Sequence, residues 1–189
     1  MKSIKTKFII LNLIIILAGI ITKRTISYKI AEAYLIQSTE NTMLQVSSDT
    51  IHQINELNQK EFMMLRSIAQ QPFMRDEEIT LEEKNKQLVA IIQTDPTKYE
   101  NVAFYDKEGF TIIAGTGQKL NLASGRVYFT EAMAGREHVA DPAFSKVING
   151  ILMYYSVPVY NNKKQTIGAA VSVIKGNRLS NIVSSIDIG

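Results

Sequence analysis

At 189 residues, with 46% hydrophobic and 21% charged side chains, the chain has room for one packed domain and an appendage, which excludes large multidomain machinery and wholesale disorder. The net charge of +3 is uneven: Lys2, Lys5, Lys7, Lys23 and Arg24 give the first 24 residues +5 and leave −2 for the rest, so no basic folded surface suited to nucleic acid is expected. With no cysteine, and with His52 and His138 as the only histidines, the sequence offers no disulfide framework, thiol nucleophile or histidine-rich metal site.

The first predicted element is apolar. Phe8 to Thr22 runs fifteen residues without a charge, between Lys7 and Lys23. As a helix this stretch rises about 22 Å, against a hydrocarbon layer of roughly 30 Å. Flanking Ile4, Thr6, Thr25 and Ile26 extend it while the interspersed Lys and Arg snorkel outward. A cleavable signal peptide and a buried core helix share this pattern. The small-x-small candidates for cleavage are poor, however: Ala31-Glu32-Ala33 lies far beyond the run, and Thr25-Ile26-Ser27 directly follows Lys23-Arg24. The expectation is an uncleaved anchor over residues 1–24, with the remainder of the chain outside the cytoplasm; the Lys/Arg count on the two flanks is nearly balanced, with a mild preference for the N-terminus inside.

From Ile26 to Gln70 there is neither glycine nor proline, and Ile51, Ile54, Phe62, Leu65 and Ala69 recur at helical spacings. This predicts a long stalk helix over residues 25–71, closed by Pro72. Such a rod cannot bury its whole length on one small domain and needs another helix or subunit beside it. Thr80-Leu81-Glu82-Glu83 is a capping box, and Leu81, Leu88, Ile91 and Ile92 line one face of a second helix that Asp95-Pro96 ends. Val102–Tyr105 and Phe110–Ala114, joined by a turn at Asp106–Gly109, read as a hairpin. A short helix fits Ser124–Ala134, stopped by Gly135, with a short strand near His138. Ile151–Tyr160 and Thr166–Lys175 are two apolar strands joined by Asn161–Lys164, and Asn177–Ile186 suits a final helix. The sum is an α+β fold: an antiparallel sheet of about five strands with helices on one side.

Catalytic patterns are missing. Ala114-Gly115-Thr116-Gly117-Gln118-Lys119 lacks the spacing of a phosphate loop and reads as a hairpin exit. There is no G-x-S-x-G, H-E-x-x-H or EF-hand loop, so neither an enzyme, a metal nor a cofactor is expected. What stands out is Gly125-Arg126-Val127-Tyr128-Phe129-Thr130-Glu131-Ala132-Met133-Ala134-Gly135, which sets a guanidinium and two aromatic rings at the mouth of the short helix. Arginine's fork of donors matches a carboxylate and aromatic rings supply apolar walls, giving a candidate small-anion pocket. The plainer alternative leaves Arg126 paired on the surface and both rings in the core.

That segment, together with Asp141–Gly150, Tyr154-Tyr155-Ser156-Val157-Pro158-Val159 and Gly168–Ser180, resembles the membrane-distal module of double Cache sensor domains. These occur in bacterial methyl-accepting chemotaxis proteins, sensor histidine kinases and diguanylate cyclases. The resemblance runs in matching order from the membrane helix to Gly189. It implies a PAS-like extracytoplasmic module over residues 72–189, a stalk that pairs with a dimer mate, and a ligand cleft between sheet and short helix. Arg126 and Tyr128 match the family's basic-x-aromatic pair that grips a ligand carboxylate, with Phe129 adjoining; Tyr105, Tyr154 and Ser156 are further candidate wall residues by strand parity.

The departures matter too. Amino-acid-binding members carry Tyr-x-Asp where this chain has Phe144-Ser145-Lys146, and an Asp where it has Val173. An unpaired ammonium in a cleft is costly, so a small organic anion is expected rather than an ordinary α-amino acid. The chain stops at Gly189, before any return helix or output module. The expectation is therefore the sensing piece of a transmembrane chemoreceptor in the cytoplasmic membrane. The alternatives are a kinase or cyclase input domain and an anchored adaptor without a ligand.

Overall fold

The stretch without glycine or proline forms one unbroken helix, α1 (Ile4–Ala69). The computed structural model describes residues 4–94, 97–113, 116–146 and 149–176, and the chain divides into two compact units between Asp49 and Thr50. In the first unit the apolar side chains from Ile9 to Ile21 are exposed. The helix is long and apolar enough to cross a membrane, with a mean hydropathy of 2.0 over its most apolar window.

In the second unit α1 stops at Ala69, and Pro72, which has no amide to donate, opens the single turn α2 (Pro72–Arg75). Thr80 Oγ1 accepts from the Glu83 amide at 3.2 Å and starts α3 (Leu81–Thr94). The Glu83 carboxylate accepts from Gln87 at 3.2 Å. Leu88 of α3 is fully buried, and Leu81, Ile91 and Ile92 pack beside it as their spacing requires.

The strands follow as β1 (Tyr99–Asp106), β2 (Phe110–Ile112) and β3 (Lys119–Asn121), then α4 (Val127–Met133), β4 (His138–Val139), β5 (Ala143–Ser145), β6 (Gly150–Tyr160) and β7 (Thr166–Lys175). The main sheet is antiparallel in the order β1-β7-β6-β4, with β5 also on β6, which makes five strands. Asn161 closes the β6–β7 turn by accepting the Lys163 and Gln165 amides at 2.9 Å. The expected final helix, Asn177–Ile186, lies outside the described residues.

Two expectations are corrected. The hairpin of Val102–Tyr105 with Phe110–Ala114 does not form as such: β2 pairs with β3 in a separate two-stranded sheet. The edge of β1 that β2 would have used is occupied. Asn85 of α3 accepts from the Phe104 amide at 2.9 Å, donates back to the Phe104 carbonyl at 3.1 Å, and accepts from Thr111 Oγ1 of β2 at 3.3 Å. The loop with Gly117 and Gln118 thus joins β2 to β3.

Helices also cover both faces of the main sheet, not one. Val102, Phe104, Met153, Tyr155, Val157 and Ile174 pack against Leu65 and Ile68 of α1, Met74 and Leu88. On the other face Ala103, Tyr105, Leu152, Ala169, Val171 and Val173 pack against Tyr128, Phe129 and Ala132 of α4. The period-2 alternation of strands that are apolar on both sides creates two cores.

Candidate functional site

The α4 face holds the predicted constellation, and its geometry begins with a turn. The Arg126 amide donates to the Ala123 carbonyl at 3.0 Å, and Gly125 has φ +75, the positive value that a type II turn requires at its third position. This turn delivers Arg126 to the N-cap of α4 in an extended conformation, its carbonyl accepting the Phe129 and Thr130 amides. At the other end Gly135, at φ +80, donates to Ala132 while Arg136 donates to Glu131, a Schellman closure. Arg136 also pairs with the Glu131 carboxylate at 2.5 and 3.1 Å.

Between these ends Tyr128 is buried and stacks on Tyr154 of β6, with centroids 5.1 Å apart and planes inclined by 6°. Tyr105 of β1 is buried on the same face and packs in the same cluster as Tyr128 and Tyr154. Burial, then Tyr128 and Tyr154, push Tyr105 well above the usual phenol range. Burial and Tyr154 push Tyr128 up as well, opposed by the positive charge of Arg126. At neutral pH Tyr105 and Tyr128 are therefore protonated donors.

Each sequence candidate now has a place. Arg126 is exposed at the edge of this aromatic cluster and forms no ion pair among the described residues. Phe129 is buried in the α4 core, and Tyr154 is half-buried at its margin. Ser156 is fully buried, and its hydroxyl donates to the Tyr128 carbonyl at 2.7 Å, fastening α4 to β6. Val173 is buried in the same core, whereas Phe144 and Lys146 of the β5 region are exposed. Guanidinium and phenol O–H groups both complement negative charge, and Glu131, the acid of α4, is already tied to Arg136.

Sequence reading missed what connects this site to α1. Glu137, two residues past Gly135, holds Arg66 of α1 through two bonds of 2.5 and 2.7 Å. Tyr155 donates to Asn58 of α1 at 2.6 Å, and the fully buried Glu61 of α1 pairs with Lys98, beside Tyr99. The one available signal was Glu61 at a helical spacing from Leu57 and Leu65, an acid on an apolar face.

Solved structures share this fold. The sensory domain of the Campylobacter jejuni chemoreceptor Tlp3 with isoleucine bound matches with a TM-score of 0.61 at 18% identity, over 82% of this chain and 65% of that one. The ligand-binding domain of the Pseudomonas aeruginosa amino acid chemoreceptor PctC, in complex with GABA, gives 0.61 at 18% identity, over 78% and 66%. This chain has a sensor-domain fold. The sensor domain of the Vibrio cholerae histidine kinase DctB gives 0.58 at 16% identity, over 78% and 58%, so the same sensor fold serves two receptor classes. The likeness agrees with the double Cache resemblance. No family model matches the chain, and no curated protein matches it. The sensor fold seen here spans less than two thirds of the length of these solved domains.

Proposed function

We propose that this chain is the extracytoplasmic ligand-sensing module of a bacterial transmembrane chemoreceptor, held by its N-terminal helix in the cytoplasmic membrane and binding a small organic anion without transforming it. The observation that carries this reading is the cluster of Tyr105, Tyr128 and Tyr154 beneath α4 with Arg126 at its edge. A carboxylate there meets a guanidinium and phenol donors against apolar walls. Val173 fills the position where amino-acid-binding members of the resembled family carry Asp, which leaves an α-ammonium without a counter-charge.

Signal transfer rests on the connections to α1. A ligand that favours one placement of α4 biases the chain leaving it, where Glu137 grips Arg66, so the site and α1 share one two-state equilibrium. The DctB likeness supports a second reading, the input domain of a sensor kinase, with the same site and a different output.

The test is a thermal-shift screen of the full chain in detergent micelles against small mono- and dicarboxylates. A ligand of the folded state raises the melting temperature, by about 2.7 kcal/mol of added stability at a hundredfold excess over Kd. Arg126→Ala should abolish the rise; its retention removes Arg126 from the site. Comparable stabilisation by free α-amino acids that Arg126→Ala abolishes would overturn the choice of anion.

A further inference from the structure

On the face of the sheet opposite α4 there is a cleft of about 340 Å³, lined by Ile79, Leu81, Phe104 and Ile167 as apolar walls, with Thr80 and Lys84 of the α3 first turn and Glu77, Asp106, Lys107 and Glu108. Its unusual member is Lys84. The residue is 3% exposed, and its ammonium sits 4.6 Å from the centre of the Phe104 ring. Among the described residues no carboxylate or carbonyl oxygen is within ion-pair or hydrogen-bonding range of it. A ring face offsets only part of the cost of removing an ammonium from water, so the site is left in want of a negative partner. Burial lowers the pKa of Lys84, while Asp76 and Glu77 pull it back up.

The position of this cation is fixed by its neighbour. Asn85 bonds both backbone groups of Phe104 as well as the Leu81 carbonyl, so ring and ammonium are held on one rigid junction of α3 with β1. One turn earlier the α3 amides of Leu81 and Glu82 are first-turn donors with no place in the helix ladder, and Thr80 and Leu81 line the same cleft. The acids there are differently placed. Glu77 accepts from Asn161 at 2.8 Å and lies 3.7 Å from Lys107, and Asp106 holds the Glu108 and Phe110 amides and lies 3.6 Å from Lys119. Lys107 is thus matched by Glu77 and Lys119 by Asp106, which leaves Lys84 at the bottom and Glu108 at the rim as the lining charges without an ion pair among the described residues.

We propose that this cleft is a second ligand site, distinct from the α4 face, that takes a small zwitterion with its carboxylate on Lys84 and the α3 first turn and its ammonium on Glu108. Neither charge alone satisfies the lining; a molecule carrying both does. The apolar walls accept the short methylene chain between them.

The experiment uses the full chain in detergent micelles and three probe series: β-alanine, 4-aminobutyrate and 6-aminohexanoate; propionate, butyrate and hexanoate; and the matching alkylamines. At least one amino acid of the first series should raise the melting temperature, and its deaminated and decarboxylated counterparts should bind at least about tenfold more weakly. Lys84→Met, which keeps the length of the side chain and removes the unpaired charge, should leave the unliganded protein at least as stable and abolish the rise. Arg126→Ala should leave it intact. The idea is overturned if no zwitterion binds, if Lys84→Met retains the shift, or if Arg126→Ala removes it, since the last result moves the zwitterion to the α4 face. Failure of the carboxylate screen on the α4 face has no bearing on this outcome, so the two readings fall separately.

Discussion

Single residues decide where this fold tolerates no change. Gly168 of β7 pairs with Asp106 and Val159, and a Cβ there would lie 2.2 Å from the Tyr105 carbonyl and 2.6 Å from the Phe104 ring. Gly168→Ala must therefore push β1 away and displace both Tyr105 and Phe104; a loss of at least about 2 kcal/mol is expected in denaturant unfolding. Glu61 presents the opposite case, a charge where apolar packing would suffice. Because it is buried and paired with Lys98, Glu61→Gln removes the charge that offsets the ammonium and should cost about 3 kcal/mol, whereas Glu61→Met combined with Lys98→Met should recover most of that loss. A double variant as unstable as the single one would show that the pair itself stabilises. The phenols set the pH response. Burial first of all holds Tyr99, Tyr105, Tyr128 and Tyr155 above the ordinary phenol value, and Lys98 is raised because its bonds to Glu61 and Tyr99 outweigh its desolvation. A folded pKa above the unfolded one contributes stability that is complete below the unfolded value and vanishes as pH climbs through the folded one. Stability should thus decline above about pH 10, phenolate absorbance of these residues appearing only with unfolding. Their ionisation in a still-folded chain at that pH contradicts this account.

At the scale of elements, α4 is short enough that its ends govern it. Gly135 supplies the left-handed residue of the Schellman closure, and a Cβ there would stand 3.1 Å from the Tyr160 hydroxyl. Gly135→Ala should cost about 1–2 kcal/mol and, by loosening α4, reduce the melting shift produced by any ligand of that face. An unchanged shift would place the ligand elsewhere. This helix was readable because both its signals, a glycine stop and an aromatic run, are local in sequence. So were β6 and β7, whose apolar runs flank a turn centred on Asn161, and the apolar face of α3. The fate of β2 was not readable, since it hinges on Asn85, a polar residue whose partners Phe104 and Thr111 lie 19 and 26 residues away. The site divides the same way. Strand parity puts Tyr105, Tyr154 and Ser156 on one face, but nothing in the alternation reveals that the Ser156 hydroxyl is spent on the α4 backbone. Nor does periodicity distinguish Lys84, at helical spacing between Leu81 and Leu88, from a surface lysine whose stem merely crosses the apolar face.

Across the whole molecule the question is what α1 does with its exposed apolar side chains. Leu44 and Ile51 are both exposed and seven residues apart in sequence, the heptad spacing of a helix-pairing seam, while Asp49 falls off that spacing. Water is a poor environment for such a stripe, and a second copy of the same helix would remove it from solvent. That arrangement suits the proposed sensing mechanism, because a displacement at Arg66 or Asn58 of one α1 changes how it meets its mate. The absence of cysteine in this chain makes the test direct: in Leu44→Cys or Ile51→Cys every thiol of these 189 residues is the introduced one. With the full chain in native membranes, mild oxidation should convert both variants to disulfide-linked dimers, and Asp49→Cys should react far more slowly. A ligand of the α4 face should then change the cross-linking rate at Ile51 while leaving that variant folded. Equal rates at all three positions would mean random collision in the membrane and would remove the paired stalk from the mechanism.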